Sequence, residues 1–327
     1  SLLIILLISV PVAFDKNALK VTFLDVGQGD SVLVELPDKR KILIDGGGIA
    51  VHRSPFTVHS FDIGRRVVAP YLYDRGIRHI DYLVLTHPHP DHVGGLVHIV
   101  KEFSIGEVWT NGYKSEYPLY IEFRETLKQK GIRHRVLWAG SDSGLSPENG
   151  YQIYILHPHK EFTVYPERGE FSAQNNLSLV IKVVYKNTSF LFTGDIEEEA
   201  EAHLIQLGKW VKSNVIKVPH HGGKTSSTEG LLYAVSPQIA VVHAGKNNPF
   251  GHPNPAVIER YRRYGVKLYR TDMDGAVRIT SDGRKFETLT YEDVTMVPVI
   301  RHYAILDELK NIKRLMMRVI IPISGVF

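Results

Sequence analysis

With 43% apolar and 23% charged residues, the 327-residue chain can bury one large core or two small ones, which excludes a largely disordered or low-complexity protein. It has no cysteine, so disulfides, thiolate catalysis and sulfur-rich zinc sites are excluded, and any metal must be held by Asp, Glu or the 16 histidines. A formal charge of +4 is too small to define an anionic partner unless the basic residues cluster.

The opening SLLIILLISVPVAF carries no charge and is too short to cross a bilayer. With the polar DKNALK it is expected to be the end of a truncated membrane segment and its linker, residues 1–19. One catalytic domain is expected over residues 20–290. VTFLDV, DSVLVEL and KILIDGG predict three successive strands, the last ending at Gly46, Gly47 and Gly48. GRRVVAPYLYDRG predicts an amphipathic helix interrupted at Pro70. The unbroken apolar run DYLVLT predicts a buried strand, and HVGGLVHIVKEF a helix. In the second half YQIYIL, NLSLVIKVVY and SFLFTGD predict strands, followed by the helix IEEEAEAHLIQLG with an acidic first turn that suits the helix dipole. VIKVPHHGG and IAVVHAG predict strands running into loops, NPAVIERYRRYG a helix opened by Asn254 and Pro255, and KLYRT and GAVRITS the closing strands. Helical spacing after residue 290 predicts a C-terminal helical extension, residues 291–327. Strands followed by helices, twice over, predict an α/β fold of two mixed sheets packed face to face with helices outside.

The segment THPHPDHVGG places His87, His89, Asp91 and His92 within six positions after a buried strand. Its prolines hold the chain extended, so His87 and His89 can point to one side and Asp91 and His92 to another. Imidazole nitrogen and carboxylate oxygen suit divalent ions, and two ions about 3.5–4 Å apart are a common device for displacement at phosphorus. Asp45, Asp195, His220 and His221 each follow an apolar run, so they are expected to emerge at the same sheet edge.

This order of motifs resembles the metallo-β-lactamase superfamily and its αββα sandwich. The resemblance implies that His87 and His89 bind one ion, Asp91 and His92 the other, that Asp195 bridges them and that His221 completes the second site. It leaves His220 to contact a phosphate oxygen or orient the loop, and Asp45 to fix the ring of a ligand histidine. The superfamily's third-motif histidine is missing, because Gln174, Asn175 and Asn176 stand there. The first ion is therefore expected to be weakly held, with manganese or zinc as candidates. His157 and His159 are the alternative source of a ligand.

More specifically, VTFLDVGQGDSVLVEL, VPHHGGKTSST and NPFGHPNP resemble the C-terminal hydrolase domain of the ComEC-type competence channels, over roughly residues 20–285. That resemblance implies a metal-dependent nuclease degrading one DNA strand during uptake, membrane-associated and on the outer side. Its partners would be single-stranded DNA and the channel domain of the same longer protein, with no small organic cofactor. Asp91, Asp195, His220 and His252 are the expected catalytic residues. Lys224, Thr225, Ser226 and Ser227 suit phosphate oxygens, or else cap a helix. Asp25, Gln28 and Asp30 lie in a Gly-bounded turn where structural hydrogen bonding is the expected role, with a border to the metals as the alternative. Arg260, Arg262, Arg263 and Tyr264 interleave charge and aromatic rings as single-strand binders do, and an amphipathic helix explains the same pattern. Two alternatives carry other functions. One is a phosphorylcholine-esterase-like hydrolase, which needs an aromatic cage for a quaternary ammonium; the other is a catalytically silent domain that guides DNA.

Overall fold

A computed structural model of the protein describes residues 17–48, 62–145, 148, 150–162 and 170–291. The expected membrane remnant and all of the C-terminal extension beyond Tyr291 lie outside the described residues. No helix among the described residues is long and apolar enough to cross a membrane.

In chain order the strands are β1 (Leu19–Phe23), β2 (Val32–Glu35), β3 (Lys41–Ile44), β4 (His79–Leu85), β5 (Ser104–Thr110), β6 (Arg133–Val136), β7 (Tyr151–His157), β8 (Val180–Tyr185), β9 (Thr188–Phe192), β10 (Val215–Lys217), β11 (Ile239–Val242), β12 (Lys267–Arg270), β13 (Val277–Ser281) and β14 (Phe286–Thr290). The helices are α1 (Ala69–Asp74), α2 (Pro90–Glu102), α3 (Pro118–Gln129), α4 (Glu170–Asn175), α5 (Glu198–Gln206), α6 (Glu229–Val235), α7 (Pro255–Arg263) and α8 (Thr271–Asp274). The expected interruption before Pro70 is a π-helical turn, Gly64–Val68, running into α1. Proline has no N–H to give the previous turn, so the helix changes pitch there.

Eight strands form one sheet in the order β14-β13-β1-β2-β3-β4-β5-β6, and six form the other in the order β12-β11-β10-β9-β8-β7. Both are mixed, since β3 to β6 run parallel after an antiparallel start and β9 to β12 run parallel beside the antiparallel β7 and β8. Inward side chains such as Phe23, Val34, Trp109, Ile181, Phe190 and Phe192 fill the space between the sheets. A second apolar cluster joins the outer face of the first sheet to α1, α2 and α3, and a third joins the second sheet to α5, α6 and α7. This is the αββα sandwich, with both faces of each sheet buried, which explains why the parallel strands read as continuous apolar runs.

The loops at one edge of the sandwich interlock through the main chain. Gly46 N–H donates to the His92 carbonyl at 2.8 Å, Gly47 N–H to the Asp30 carbonyl at 2.7 Å, and Leu179 N–H to the Thr86 carbonyl at 3.0 Å across the two sheets. Gly29 sits against this junction with φ +102°, where an added Cβ would meet the Asp91 carbonyl oxygen at 2.0 Å. Neither backbone can yield without moving a loop of the site. Gly29→Ala is therefore expected to cost about 1–3 kcal/mol, read as a lower urea midpoint with an unchanged slope.

Candidate metal centre

Most of the chemistry-bearing side chains leave the end of a buried strand, while Asp91 and His92 lie in the first turn of α2. Asp45 follows β3, Thr86 and His87 follow β4, Asp195 follows β9, His220 and His221 follow β10, and His243 follows β11. Parallel neighbours end at the same edge, so residues far apart in sequence meet.

His87 Nε2 and His89 Nδ1 face one another at 2.9 Å. His87 Nδ1 lies 3.1 Å from Thr86 Oγ1 and 3.2 Å from Ser178 Oγ; with its proton there, Nε2 is left as a lone pair. His92 Nδ1 donates to Asp45 Oδ2 at 2.9 Å, turning Nε2 to Asp195 Oδ2 at 3.1 Å. Asp45 is fixed in turn by the Thr86 N–H at 2.8 Å and the Thr86 hydroxyl at 2.7 Å. His221 Nε2 is also 3.1 Å from Asp195 Oδ2, and 3.7 Å from Asp91 Oδ2. Ligand atoms of His87, His92 and Asp195 lie within 4.8 Å of one another, as do those of Asp91, His92 and His221.

Behind Asp195 lies a network in which sequence reasoning assigned Lys217 and His243 no site role, and the turn of Asp30 a border to the metals only as an alternative. Lys217, fully buried at the end of β10, donates to Asp195 Oδ1 at 3.2 Å and the Gly194 carbonyl at 2.9 Å, and pairs with Asp30 Oδ2. Asp30 Oδ1 faces His221 Nδ1 at 3.4 Å and His243 Nδ1 at 3.3 Å. The turn holding Asp30 thus stands behind the site. A lysine inside the apolar run VIKV was the available signal, and His243 shows the same strand-end placement as the expected ligands.

Electrostatics divides the imidazoles into two kinds. Burial pushes His87 well below its ordinary value and His89 down to about 4, so both are neutral donors of a lone pair. For His92 and His221 burial opposes the charged form, but Asp195 with Asp45 lifts His92 well up, and Asp195 with Asp30 lifts His221 to about 9. The carboxylates therefore attract positive charge to the spot that their oxygens share. His89 Nε2 is buried without a hydrogen-bond partner, and the ring nitrogens of His221 meet only the carboxylate oxygens of Asp30, Asp91 and Asp195. Neutral imidazoles, convergent carboxylates and an unpartnered buried nitrogen fit divalent cations.

His220 and His221 take left-handed backbone angles in succession, φ 46° and 52°, and Asp45 does so at φ 57°. Such strain persists where surrounding structure fixes it, here the interlocked loops. It turns His221 inward and leaves His220 at the mouth, with its ring centroid 5.5 Å from that of His252. His252 Nδ1 is buried without a partner, and burial plus the neighbouring imidazoles push the ring down to about 4.

Other expected residues are placed differently. Ser226 and Ser227 do not reach the surface: both are buried, with the Ser226 hydroxyl donating to the Pro219 and Gly223 carbonyls and that of Ser227 bonded to Tyr261 at 3.2 Å. They support the loop, and a phosphate cannot reach them. Lys224 and Thr225 are exposed. Arg260 donates to the Ser226 and Ser227 carbonyls, Arg262 pairs with Glu259, Arg263 pairs with Glu229, and the Tyr264 hydroxyl lies 3.4 Å from the Glu229 carbonyl. His157 donates to the Asn176 carbonyl at 2.7 Å, and neither it nor His159 belongs to a potential metal group among the described residues. Asn176 caps α5 through the N–H groups of Glu197 and Ala200, and Asn175 donates to Glu197.

The chain belongs to the metallo-β-lactamase superfamily, whose profile matches residues 24–246. It is 32% identical over 264 residues to ComE operon protein 3 of Bacillus subtilis (strain 168), covering 79% of this chain and 32% of that protein. It is 33% identical over 273 residues to competence protein ComA of Neisseria gonorrhoeae, covering 82% of this chain and 33% of that protein. The chain thus spans about a third of the length of these relatives. Among solved structures it is similar to Igni18, a metallo hydrolase of the archaeon Ignicoccus hospitalis, at 16% identity and a TM-score of 0.45, covering 80% of this chain and 99% of that one. The two mixed sheets with helices outside are those of the metallo-β-lactamase fold.

Proposed function

We propose that the chain is a metal-dependent phosphodiesterase that degrades a DNA strand during DNA uptake, with two divalent ions, manganese or zinc. The observation that carries this reading is Asp195 Oδ2, which lies 3.1 Å from both His92 Nε2 and His221 Nε2, so that one carboxylate and two imidazoles converge where divalent cations could be held. His87, His89 and Asp195 would hold one ion, and Asp91, His92, His221 and Asp195 would hold the other. The first has fewer protein ligands and is the weaker site.

Bound ions supply the acidity that makes water a nucleophile at neutral pH and offset charge on the leaving oxygen. The protein's own groups do the rest. Asp45 fixes the His92 ring, and Ser178 and Thr86 fix that of His87. The neutral His252 accepts or returns a proton at the mouth, while His220, Lys224 and Thr225 bind phosphate oxygens. A place in competence is supported by the name of a relative, a competence protein. In this reading the domain receives a single strand from a channel domain of the same longer protein, on the outer side of a membrane.

Incubated with a single-stranded oligonucleotide, the protein is expected to cleave in manganese and to stop in EDTA. Asp91→Ala is expected to abolish cleavage while leaving the circular dichroism spectrum unchanged. No cleavage with manganese, zinc, magnesium or cobalt overturns the nuclease reading. Hydrolysis of p-nitrophenyl phosphorylcholine alone would assign the site to small headgroup phosphodiesters instead.

A further inference from the structure

We propose that Phe171 is a stacking platform for the nucleobase beside the cleaved phosphodiester, an inference that rests on the phosphodiesterase reading above. Phe171 lies on α4, a six-residue helix whose Ala173, Gln174 and Asn175 are buried. Its ring stacks on His89 with centroids 3.8 Å apart and planes 14° from parallel. His89 is itself held from the other direction, by His87 Nε2 at 2.9 Å and by the edge of Tyr117 at a centroid distance of 5.9 Å. Yet Phe171 remains 53% exposed, whereas the imidazole beneath it is 1% exposed. One flat face is therefore fastened to the site and the opposite face is open to solvent.

An exposed phenyl ring gains nothing from water, and one directly on a candidate ligand lies within a nucleotide's reach of the reacting phosphorus. The geometry selects the chemistry of its occupant. A quaternary ammonium needs several ring faces converging as a cage, whereas a planar heterocycle needs one open face held rigid. Stacking on a single aromatic ring accepts any base, which suits a strand degraded without regard to sequence. It also favours single strands, because bases within a duplex are already stacked on one another. The competing reading is that Phe171 only shields His89 from water. A leucine would do that equally well, and this separates the two.

The test compares binding of an oligothymidylate with binding of an abasic oligomer of equal length. Both carry hydrolysis-resistant phosphorothioate links, and binding is read by fluorescence anisotropy in manganese. The native protein is expected to prefer the base-bearing strand about tenfold, the scale of one base–aromatic stack. Phe171→Leu and Phe171→Ala are expected to erase the preference, and Phe171→Trp to keep it. A 2-aminopurine in the strand should be quenched by the native protein and not by Phe171→Leu. A preference unchanged in Phe171→Leu overturns the platform, as does failure to bind either oligomer. Phe171-dependent hydrolysis of p-nitrophenyl phosphorylcholine in place of base-dependent binding also overturns it. Cleavage of ordinary oligonucleotides is scored separately. If base-dependent binding persists without cleavage, the platform stands and the phosphodiesterase reading fails.

Discussion

Asp195→Asn is expected to lower phosphodiester cleavage by about a thousandfold or more, because residues that merely orient metal ligands are already worth about 10- to 100-fold. Asp195 uses its two oxygens for opposite tasks, and of the two carboxylates paired with Lys217 it is the one whose free oxygen faces both His92 and His221. Oδ1 accepts from the buried Lys217, and Oδ2 faces His92 and His221 at 3.1 Å each. Asparagine matches its volume but lacks the charge that attracts a cation. It also places an N–H₂ on one of the two positions, either against the Lys217 ammonium or where an ion must be received. The fold should survive, since the substitution removes a charge without opening a cavity. Expected observations are an unchanged circular dichroism spectrum, loss of at least one equivalent of bound metal by elemental analysis, and loss of activity that excess manganese does not restore. Retention of both metal and activity would show that Asp195 does not bridge.

How much of this centre was legible in the sequence depended on whether its information was local. The HPHPDH loop was legible because four ligand types crowd into six positions, and Asp45, Asp195 and His221 because each closes an apolar run. Lys217 and His243 were given no site role and Asp30 one only as an alternative, since their meaning arises only when the β1–β2 turn is laid against the ends of β10 and β11 in the other sheet. Similarly, a polar run such as KTSST looks solvated from sequence, yet Ser226 and Ser227 are buried beneath α5 and α7. The Glu201 carboxylate accepts from the Ser227 N–H, and the Tyr261 hydroxyl meets the Ser227 side chain. The interleaved ERYRRY has its rings on both sides of a helix: Tyr261 is fully buried and Tyr264 is on the rim.

The fold class was legible because alternation between apolar runs and helical spacing survives in the central elements. The layers were predicted, but β5, α3, β6 and β14 were not named among their parts. Strands at sheet edges carry little apolar signal. β6 is RHRV with both end residues exposed, and β14 is FETLT with none buried. What fixes β6 is its register against β5, with Trp109 opposite Arg135 and Thr110 opposite Val136, a pairing invisible along the chain. Phe171 was missed for a related reason. A single phenylalanine on a short helix is an ordinary core residue until its neighbour is found to be His89.

Lys217→Met is expected to destabilise the metal-free protein by about 3–5 kcal/mol, the usual consequence of removing one partner from a buried charge network. Methionine fills the same space, so the loss is of charge and hydrogen bonds. The Lys217 ammonium lies between Asp30 and Asp195, and burial disfavours its charged form less than these two carboxylates favour it. Without it, two buried carboxylates face each other with only His92 and His221 to balance them. Divalent ions at the same spot supply positive charge of their own, so the penalty should be largest in EDTA and shrink when manganese is added. Thermal melts of both proteins under both conditions measure this directly. Asp30→Asn placed in the Lys217→Met background should recover part of the loss by removing one of the uncompensated charges. An equal loss with and without metal would mean that Lys217 serves packing alone. A penalty confined to the metal-free state would identify it as the cation that keeps the carboxylates together until an ion arrives.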